Sequence, residues 1–482
     1  METKTIFEKS VKGRRGCSLP ECKIEKKIEG IFSEDILRKE APNLPEVSEL
    51  DVMRHYIEIS AKNHFIEKGF YPLGSCTMKY NPKINDIVNT LPGLTNLHPY
   101  QPEDTIQGAL QIMYELQNML AEISGMAEVS LQPVAGAHGE FTGVNIIYNY
   151  HKSKGNKKTK IIMPDSAHGT NPATSASHGY KVVELKSGSD GKVDINALKQ
   201  VIDKDVAGFM LTNPNTLGIF ETDVKKIAEI VHSVDGLMYM DGANLNAMLG
   251  YIRPGDIGFD IVHFNLHKTF STPHGGGGPG GGGIGVVEKL VAFLPYPIIK
   301  KDGDKYFFNY KLKNSIGKVH SFYGNFLVMA RAYIYLKMLG EKGLRRVAEN
   351  AVINANYLMK KLKNHFPVPY QNDVMHEFVA SGERFKKYGV KTVNIAKRLL
   401  DYGFHAPTIY FPLIVHEALM IEPTETESKE TLDNFIKAMI RIAQEAESNP
   451  ELVKNAPFNT PVGKLDETVA VKNLDIKFSF DD

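Results

Sequence analysis

Cysteine is scarce in this sequence, and long apolar runs are missing. Only Cys17, Cys22 and Cys76 occur among 482 residues, which excludes a disulfide framework and favours a reducing compartment. No apolar stretch approaches the roughly 20 residues that a membrane-spanning helix needs. The first nine residues also lack the apolar core of a signal peptide. We therefore expect a cytoplasmic protein that does not bind membranes.

The sequence also lacks an excess of charge of either sign. Its 57 lysines and arginines balance 56 aspartates and glutamates, for a net charge of +1. No overall field therefore attracts a nucleic acid. The densest basic run, at residues 152–160, is typical of a solvated loop between a helix and a strand. Cys17 and Cys22 have no further ligands close by in the sequence, so we expect no metal site.

From Thr105 onwards, short apolar runs alternate with segments of helical periodicity. Helices are predicted at residues 105–123, 139–151, 194–201 and 223–231, and strands at residues 127–131, 160–163, 182–185, 208–211, 237–240, 261–264 and 284–287. Such alternation is typical of an α/β fold, in which helices cover both faces of a mostly parallel sheet. Ligands of these folds bind at the carboxyl ends of the strands.

The chain is too long for a single hydrophobic core. We predict an N-terminal arm with one helix (1–100), a large α/β domain (101–323), a smaller α+β C-terminal domain (324–454) and a tail (455–482). The helix of the arm is predicted at residues 46–68; the smaller domain should have helices at 324–340, 344–365 and 429–446 and strands at 374–380 and 419–421. The arm and the tail have little apolar periodicity, so we expect them to pack on another surface.

Lys268 and Asp241 carry the strongest chemical signal. Lys268 lies just after an apolar run, where packing against the fold can keep an amine neutral for attack on an aldehyde. Asp241 ends another apolar run, and an acid buried there is costly unless it is paired. An aspartate that holds a pyridinium nitrogen and a lysine that forms an imine are the two protein groups that pyridoxal phosphate requires. Taken alone, Asp241 could instead cap the next helix.

Three other strand ends carry weaker signals. Gly136 and Ala137 are small enough to let backbone amides approach a phosphate at a helix N-terminus, although a tight turn also needs glycine. His168 could stack on an aromatic ring, cap the following helix or bind nothing. Asn213 could donate to a phenolic oxygen, and a turn explains Asn-Pro equally well. Their order along the chain, with Asp241 and Lys268 following, is a stronger signal than any one of them.

A glycine run at residues 275–283 holds eight glycines around Pro279. A flexible linker would be oddly placed there, inside the sheet domain and directly before a strand. We interpret the run as a point where the backbone closely approaches a ligand or a neighbouring subunit.

Several long strings of this sequence resemble those of one enzyme family. They are PLGSCTMK (72–79), HGTNPA (168–173), DGAN (241–244), NLHKTF (265–270), PHGGGGPG (273–280) and EPTETES (422–428). From about residue 10 to about residue 465, the chain resembles glycine dehydrogenase (decarboxylating), the P-protein of the glycine cleavage system. The resemblance implies the fold-type I architecture of pyridoxal-phosphate-dependent transferases. The family occurs as one long chain or as two subunits, and this chain is similar to subunit 2, which carries the cofactor.

The resemblance also implies roles for individual residues. Lys268 would form the Schiff base, Asp241 would hold the ring nitrogen and His168 would stack on the ring, so these three are the expected catalytic residues. The other expected cofactor-binding residues are Gly136, Ala137, His138, Thr170, Asn213, Ala243 and His267. Of these, Gly136, Ala137 and His267 would lie near the phosphate. The loop of Ser75, Cys76 and Thr77 is expected to line the substrate entrance.

The implied reaction is decarboxylation of glycine bound to pyridoxal phosphate, with transfer of the aminomethyl group to the lipoyl arm of the carrier H-protein and release of CO₂. The implied partners are subunit 1 and lipoylated H-protein, in a dimer of heterodimers with a channel that admits the arm. Three alternatives stay open: another fold-type I enzyme such as a glutamate-type decarboxylase or a threonine aldolase, a scaffold subunit, and a module that only binds the carrier. Lys268 together with Asp241 argues against the scaffold.

Overall fold

The structure of the chain is a computed structural model that describes residues 3–21, 23, 30–274, 280–370, 373–474, 476 and 479. Cys22 and residues 275–279 of the glycine run lie outside the described residues, so the interpretation of that run stays a prediction. The chain divides into two compact units, Met1–Phe65 and Ile66–Asp482. The predicted boundaries of the four parts also stay predictions.

The helices are α1 (Glu49–Lys62), α2 (Lys83–Val88), α3 (Pro92–Thr95), α4 (Gln107–Ser124), α5 (Gly136–Ser153), α6 (Thr170–Ser177), α7 (Ile195–Val201), α8 (Val224–His232), α9 (Phe326–Leu362), α10 (Thr392–Asp401), α11 (Lys429–Ser448), α12 (Pro450–Lys454) and α13 (Glu467–Lys472). The strands are β1 (Glu128–Ser130), β2 (Lys160–Pro164), β3 (Lys181–Leu185), β4 (Val206–Thr212), β5 (Leu237–Gly242), β6 (Ile261–Asn265), β7 (Gly282–Val286), β8 (Ile298–Asp302), β9 (Lys305–Asn309), β10 (Phe378–Ser381), β11 (Thr408–Ile409) and β12 (Ala418–Ile421). None of the helices described combines the length and the apolar character needed to cross a bilayer.

The first unit is built around α1. A capping box starts this helix: the Ser48 hydroxyl accepts from the amide of Asp51 at 3.2 Å, and the Asp51 carboxylate accepts from the amide of Ser48 at 3.1 Å. The helix ends at Lys62 because Asn63 is extended (φ −85°, ψ 162°). It is therefore shorter at both ends than the predicted helix at residues 46–68.

The large sheet has the strand order β1-β7-β6-β5-β4-β2-β3 in the described residues. Strands β2 to β6 run parallel to one another, whereas β7 pairs antiparallel with both β6 and β1. Each strand predicted from an apolar run between residues 127 and 287 is present, within two residues of its predicted ends. The predicted α/β fold with a mostly parallel sheet is confirmed.

Helices cover both faces of this sheet. Along β5, Tyr239 packs into one hydrophobic core with Ile147 of α5, whereas Met238 and Met240 pack into another core with Ile227 of α8. Every residue of β5 is buried as a result. A strand covered on both faces has a continuous apolar sequence, which is why these strands could be recognised as short apolar runs.

A smaller C-terminal domain follows α9. Gly340 interrupts α9 with a non-helical backbone (φ 59°, ψ −172°), so α9 consists of two helical segments, as predicted on either side of that glycine. Strands β10 and β11 pair antiparallel with β12 between them. Helix α11 packs on this sheet through Phe435 and Met439, in a core that also contains Leu419.

Some elements were not predicted. The hairpin of β8 and β9 contains the charged segment at residues 300–305, which hides its strand character. Helix α6 (TNPATSAS) consists of small and polar residues without an apolar period, and only Asn171 and Ser175 in it are buried. Strand β10 begins at Phe378 rather than at residue 374, because the amide of Met375 donates outside the ladder to the carbonyl of Gly218 at 2.7 Å.

Candidate active site

The carboxyl ends of β4, β5 and β6 open into a cavity of about 120 Å³ in the second unit. The turn after β6 places Lys268 in its wall, and the end of β5 places Asp241 there. The predicted site residues that line the cavity are Ser75, Gly136, Ala137, His168, Thr170, Asp241, Ala243 and Lys268. Residues from His168 to Lys268 are thus brought together because parallel strands end at one edge of the sheet.

Asp241 is buried beside a second ionisable side chain, His263. Nε2 of His263 lies 3.2 Å from Oδ1 of Asp241, at ion-pair distance but without the alignment of a hydrogen bond. Nδ1 of His263 lies 2.6 Å from the hydroxyl of Tyr239. Burial alone would raise the pKa of Asp241, but His263, the amide of Ala243 and Lys268 together lower it below its ordinary value. Burial lowers the pKa of His263, and Asp241 opposes this shift.

Two glycines of α5 allow this helix to pack closely against His263 and against its hydrogen-bond partner Tyr239. A Cβ at Gly139 would lie 2.8 Å from Cβ of His263, and a Cβ at Gly143 would lie 2.2 Å from Cε2 of Tyr239. The helix can pack this closely on β5 and β6 only because both positions are glycine. The close packing keeps Asp241 and His263 out of bulk water.

The groups that line the cavity suit pyridoxal phosphate. Helix α5 begins without a side-chain cap from any residue described, so its first amides, at Gly136 and Ala137 in the cavity wall, suit a phosphate. Thr212 Oγ1, His263 Nε2 and Asn265 Oδ1 are buried there and have no hydrogen-bond partner among the described residues. Unsatisfied buried polar atoms are costly, and a polar ligand at this position would satisfy them.

His168 is held in the cavity wall by a chain of hydrogen bonds. Nδ1 of His168 lies 2.8 Å from the hydroxyl oxygen of Thr170, whose proton is donated to Oε1 of Glu140 at 2.6 Å. The Thr174 hydroxyl donates to Oε2 of Glu140 at 3.1 Å. Burial, and after it the nearby Asp241, raises the pKa of Glu140 to about 7. This chain fixes the orientation of the His168 ring.

The C-terminal domain closes the cavity with His376 and Glu377. Gly218, in the loop after β4, makes their approach possible: its φ is 76°, and a Cβ there would lie 1.8 Å from the carbonyl oxygen of Glu377. Only glycine accommodates both this conformation and this contact. The loop after β4 therefore contacts the C-terminal domain directly at the carboxyl edge of the sheet.

The loop at residues 75–77 is anchored by two acids of that domain. Glu377 Oε2 accepts from the amide of Ser75 at 2.7 Å. Glu422 accepts from the amide of Thr77 at 3.0 Å and from its hydroxyl at 2.8 Å. Asn244, which lines the cavity, donates a further bond of 2.8 Å to Glu422. The loop is thus tied to the edge of the cavity.

Five predicted site residues do not line the cavity: His138, Asn213, His267, Cys76 and Thr77. Both ends of the Asn213 amide bond to the backbone of Glu221, so this geometry does not support the predicted oxygen donor. The ring of His267 bonds to the carbonyl of Gly281 at 3.0 Å, and His138 accepts from the amide of Val134 at 3.3 Å. Their assigned roles stay predictions.

The sequence analysis missed several residues that line the cavity: Glu140, Thr212, Pro214, Thr216, Asn244, His263, Asn265, His376 and Glu377. Signals existed for some of them. Glu140 lies one helical turn after Gly136 on α5. His263 and Asn265 are two residues apart on β6, so they lie on the same face of the strand that precedes Lys268. Nothing in the local sequence marks His376 or Glu377, because only the docking of the C-terminal domain brings them here.

The sheet, the lysine after β6, the buried aspartate at the end of β5 and the smaller C-terminal domain define a fold-type I pyridoxal-phosphate-dependent enzyme. A family model for the glycine cleavage system P-protein matches residues 21–306, and one for the glycine dehydrogenase C-terminal domain matches residues 347–458. The chain belongs to the P-protein family of the glycine cleavage system.

Individual relatives are similar over almost the whole chain. The "Probable glycine dehydrogenase (decarboxylating) subunit 2" of Chloroherpeton thalassium is 59% identical over 479 residues, which cover 98% of this chain and 97% of the relative. The protein of the same name from Halalkalibacterium halodurans is 56% identical over 475 residues, again 98% and 97%. A crystal structure of an inhibitor-bound glycine decarboxylase (P-protein) of the glycine cleavage system has a TM-score of 0.71 and 21% identity, covering 85% of this chain and 93% of that one. At that identity, the likeness shows the fold.

Proposed function

We propose that the cavity around Lys268 decarboxylates glycine with pyridoxal phosphate and passes the aminomethyl group to the lipoyl arm of H-protein. Glycine decarboxylation in the glycine cleavage system is the reaction of the family to which the chain belongs. The observation that carries the proposal is the shared cavity of Lys268, Asp241 and the uncapped start of α5. A scaffold subunit would have no need to bury these groups together.

The residues of the cavity have separate tasks. Lys268 would hold the cofactor aldehyde, the first turn of α5 its phosphate, and the ring of His168 its face. Bound pyridoxal phosphate would supply an acceptor for the electron pair that stays on the α-carbon of glycine when CO₂ leaves. Asp241, kept ionised by its neighbours, would hold a proton on the ring nitrogen, and His263 would keep its carboxylate in place.

A partner subunit is implied by the designation of the relatives as subunit 2. We infer that this chain pairs with subunit 1, in a dimer of heterodimers that receives lipoylated H-protein. In the first unit, α1 exposes Leu50, Met53 and Ile57 to more than half of their full extent, at the spacing of one helical face. Such a face suits an obligate interface, which buries about 2,000–5,000 Å². The low cysteine content supports a cytoplasmic location.

Borohydride labelling tests the role of Lys268. Reduction should fix the cofactor covalently to the wild-type chain and to Lys199→Ala, a control at an exposed lysine of α7. Lys268→Ala should take up no label and should lose its absorbance change with glycine. A variant that keeps a reducible adduct at full occupancy would show that another lysine holds the cofactor.

Exchange of labelled CO₂ into glycine tests the reaction itself. The wild-type chain should catalyse it only together with subunit 1 and lipoylated H-protein. A lone chain with full exchange activity would contradict the proposed partnership. Decarboxylation of glutamate, or cleavage of threonine, without any carrier would favour the alternative fold-type I enzymes.

A further inference from the structure

Two buried carboxyl groups in the C-terminal domain have no task in holding the cofactor. Glu377 directly precedes β10, Glu422 directly follows β12, and these strands pair through Phe378 and Ile421. An oxygen of Glu377 and one of Glu422 lie within 4.8 Å of each other. Both residues are almost inaccessible to solvent, at 3% and 0% exposure. Two charges at this separation in a buried site repel strongly, so the pair favours sharing one proton.

Hydrogen-bond donors decide which of the two carries that proton. Glu422 accepts three hydrogen bonds, from the amide and hydroxyl of Thr77 and from Asn244. Among the residues that the structure describes, Glu377 accepts one, from the amide of Ser75. Donors stabilise the ionised form, so Glu422 is the carboxylate and Glu377 the acid. Burial, and after it Glu422, raises the pKa of Glu377 well above its ordinary value, and burial raises that of Glu422 to about 7.

The other ionisable groups around Glu377 leave the proton with it. Nε2 of His376 lies 3.7 Å from Oε1 of Glu377. Neither ring nitrogen of His376 has a hydrogen-bond partner among the described residues. Burial, with Lys268 as the lesser cause, lowers the pKa of His376 to about 3, so the ring is neutral. Burial raises the pKa of the Cys76 thiol, which is therefore protonated as well. Lys268 acts in the opposite direction and lowers the pKa of Glu377, but it is a smaller cause than burial and Glu422.

Glu377 also reaches the reaction space. It lines the same cavity as Lys268, whereas the three hydrogen bonds of Glu422 tie that residue to the loop and to Asn244. His376 lines the cavity too, and a buried imidazole without a partner is costly unless a polar group is received beside it. The cavity thus offers an acid, a neutral ring and room for a third group on the side of the C-terminal domain.

We propose that Glu377 is the general acid that protonates the sulfur leaving from the carrier's disulfide. This inference rests on the proposed function. After CO₂ has left, the α-carbon of glycine uses the electron pair of the broken C–C bond to form a C–S bond with one sulfur. The S–S bond breaks, and the second sulfur leaves with its electron pair and takes the proton of Glu377. Carbon is oxidised, the disulfide is reduced to a thioether and a thiol, and water returns a proton to Glu377.

Glu377→Gln tests the proposal in the complete system of holoenzyme, subunit 1 and lipoylated carrier. New thiol should form about a hundredfold or more slower in a single turnover, while glycine still shifts the absorbance of the bound cofactor. The wild-type rate should fall as pH rises through the pKa of Glu377, and the variant should lack this alkaline limb. The control is Glu427→Gln: burial also raises the pKa of Glu427 to about 7, but this residue lies outside the cavity.

A second measurement needs no turnover. The infrared difference spectrum between the wild-type protein and Glu377→Gln at pH 7 should contain a protonated carboxyl band that belongs to Glu377, because the other buried carboxyl groups are present in both proteins. If that variant does not fold, Glu422→Gln decides: removing the neighbouring charge should move the alkaline limb to lower pH, and an unmoved limb would overturn the proposal.

Other outcomes would also overturn it. One is that Glu377 is ionised at pH 7, and another is that Glu377→Gln forms thiol at the wild-type rate. A third is that the wild-type protein binds a stoichiometric metal ion that Glu377→Gln does not bind. A wild-type enzyme that releases no CO₂ from glycine and forms no thiol would instead refute the proposed function, so the two failures can be told apart.

Discussion

Asp241 and Glu377 lie on opposite sides of the cavity and differ in charge state. On the sheet side, Asp241 is ionised, because His263, a backbone amide and Lys268 outweigh the cost of burial. On the side of the C-terminal domain, Glu377 is protonated, because burial and the neighbouring Glu422 outweigh its single donor. Both acids are buried and both line the cavity. Burial favours the protonated form of both acids, and their neighbours decide whether this effect is outweighed, as at Asp241, or reinforced, as at Glu377.

The difference teaches how one cavity can support two kinds of proton chemistry. A fixed anion such as Asp241 can keep a ring nitrogen protonated throughout a reaction without giving up charge. A neutral acid such as Glu377 can give up its proton once and recover it. Pairs of acids whose environments drive their pKa values apart are a common way to divide such tasks.

Asp241→Asn should have the largest effect, because it replaces the fixed anion by an amide of the same shape. An amide cannot hold a proton on the ring nitrogen, so glycine decarboxylation should fall by about a hundredfold or more. The measurement is the turnover number at full cofactor occupancy, with circular dichroism to show that the fold is kept. An unchanged turnover number would mean that Asp241 only caps the segment after β5, where it accepts from the amide of Ala243.

The two sides also differ in how far they could be predicted. On the sheet side, Lys268, Asp241 and His168 follow apolar runs, and the rule that parallel strands end at one edge was enough to bring them together. His263 was missed because it lies inside a run read only as a strand. On the other side, Glu377 could not be found, since its place depends on Gly218 and on the docking of a separate core. The role predicted for Asn213 stays a prediction, although its amide bonds to the backbone of Glu221 across the loop that contains Gly218.

The pH dependence of stability should separate Glu140 from Asp241. Burial raises the pKa of Glu140 from 4.5 to about 7. The stability that the protonated carboxyl contributes is therefore complete below pH 4.5 and is lost as pH rises to about 7. Asp241, whose pKa is lowered, contributes stability above its unfolded pKa and loses it as pH falls. Glu140→Gln cannot ionise. Relative to that of the wild type, the free energy of unfolding of this variant should therefore increase by on the order of 1–3 kcal/mol between pH 4.5 and pH 8.

The measurement is the melting temperature of the wild type and of Glu140→Gln between pH 4.5 and pH 8. Glu229→Gln is the control, since Glu229 is exposed on α8, and its difference from the wild type should stay constant with pH. A constant difference for Glu140→Gln as well would show that this carboxyl is ionised in the folded protein, and that the acids on the sheet side do not divide their charge states.

The smallest effect is expected at His168, which would contribute a ring face and no charge. Burial lowers the pKa of His168, so the ring is neutral and acts by stacking. Stacking of aromatic rings contributes about 0.5–1.5 kcal/mol beyond burial, so His168→Ala should weaken cofactor binding roughly two- to tenfold, as measured by absorbance titration of the apoenzyme. His168→Phe keeps a ring but loses the contact with Thr170, and it should retain most of the affinity if stacking is the cause. If cofactor affinity is unchanged in His168→Ala while the melting temperature collapses, the ring serves the packing against Phe411, whose centroid lies 5.5 Å away.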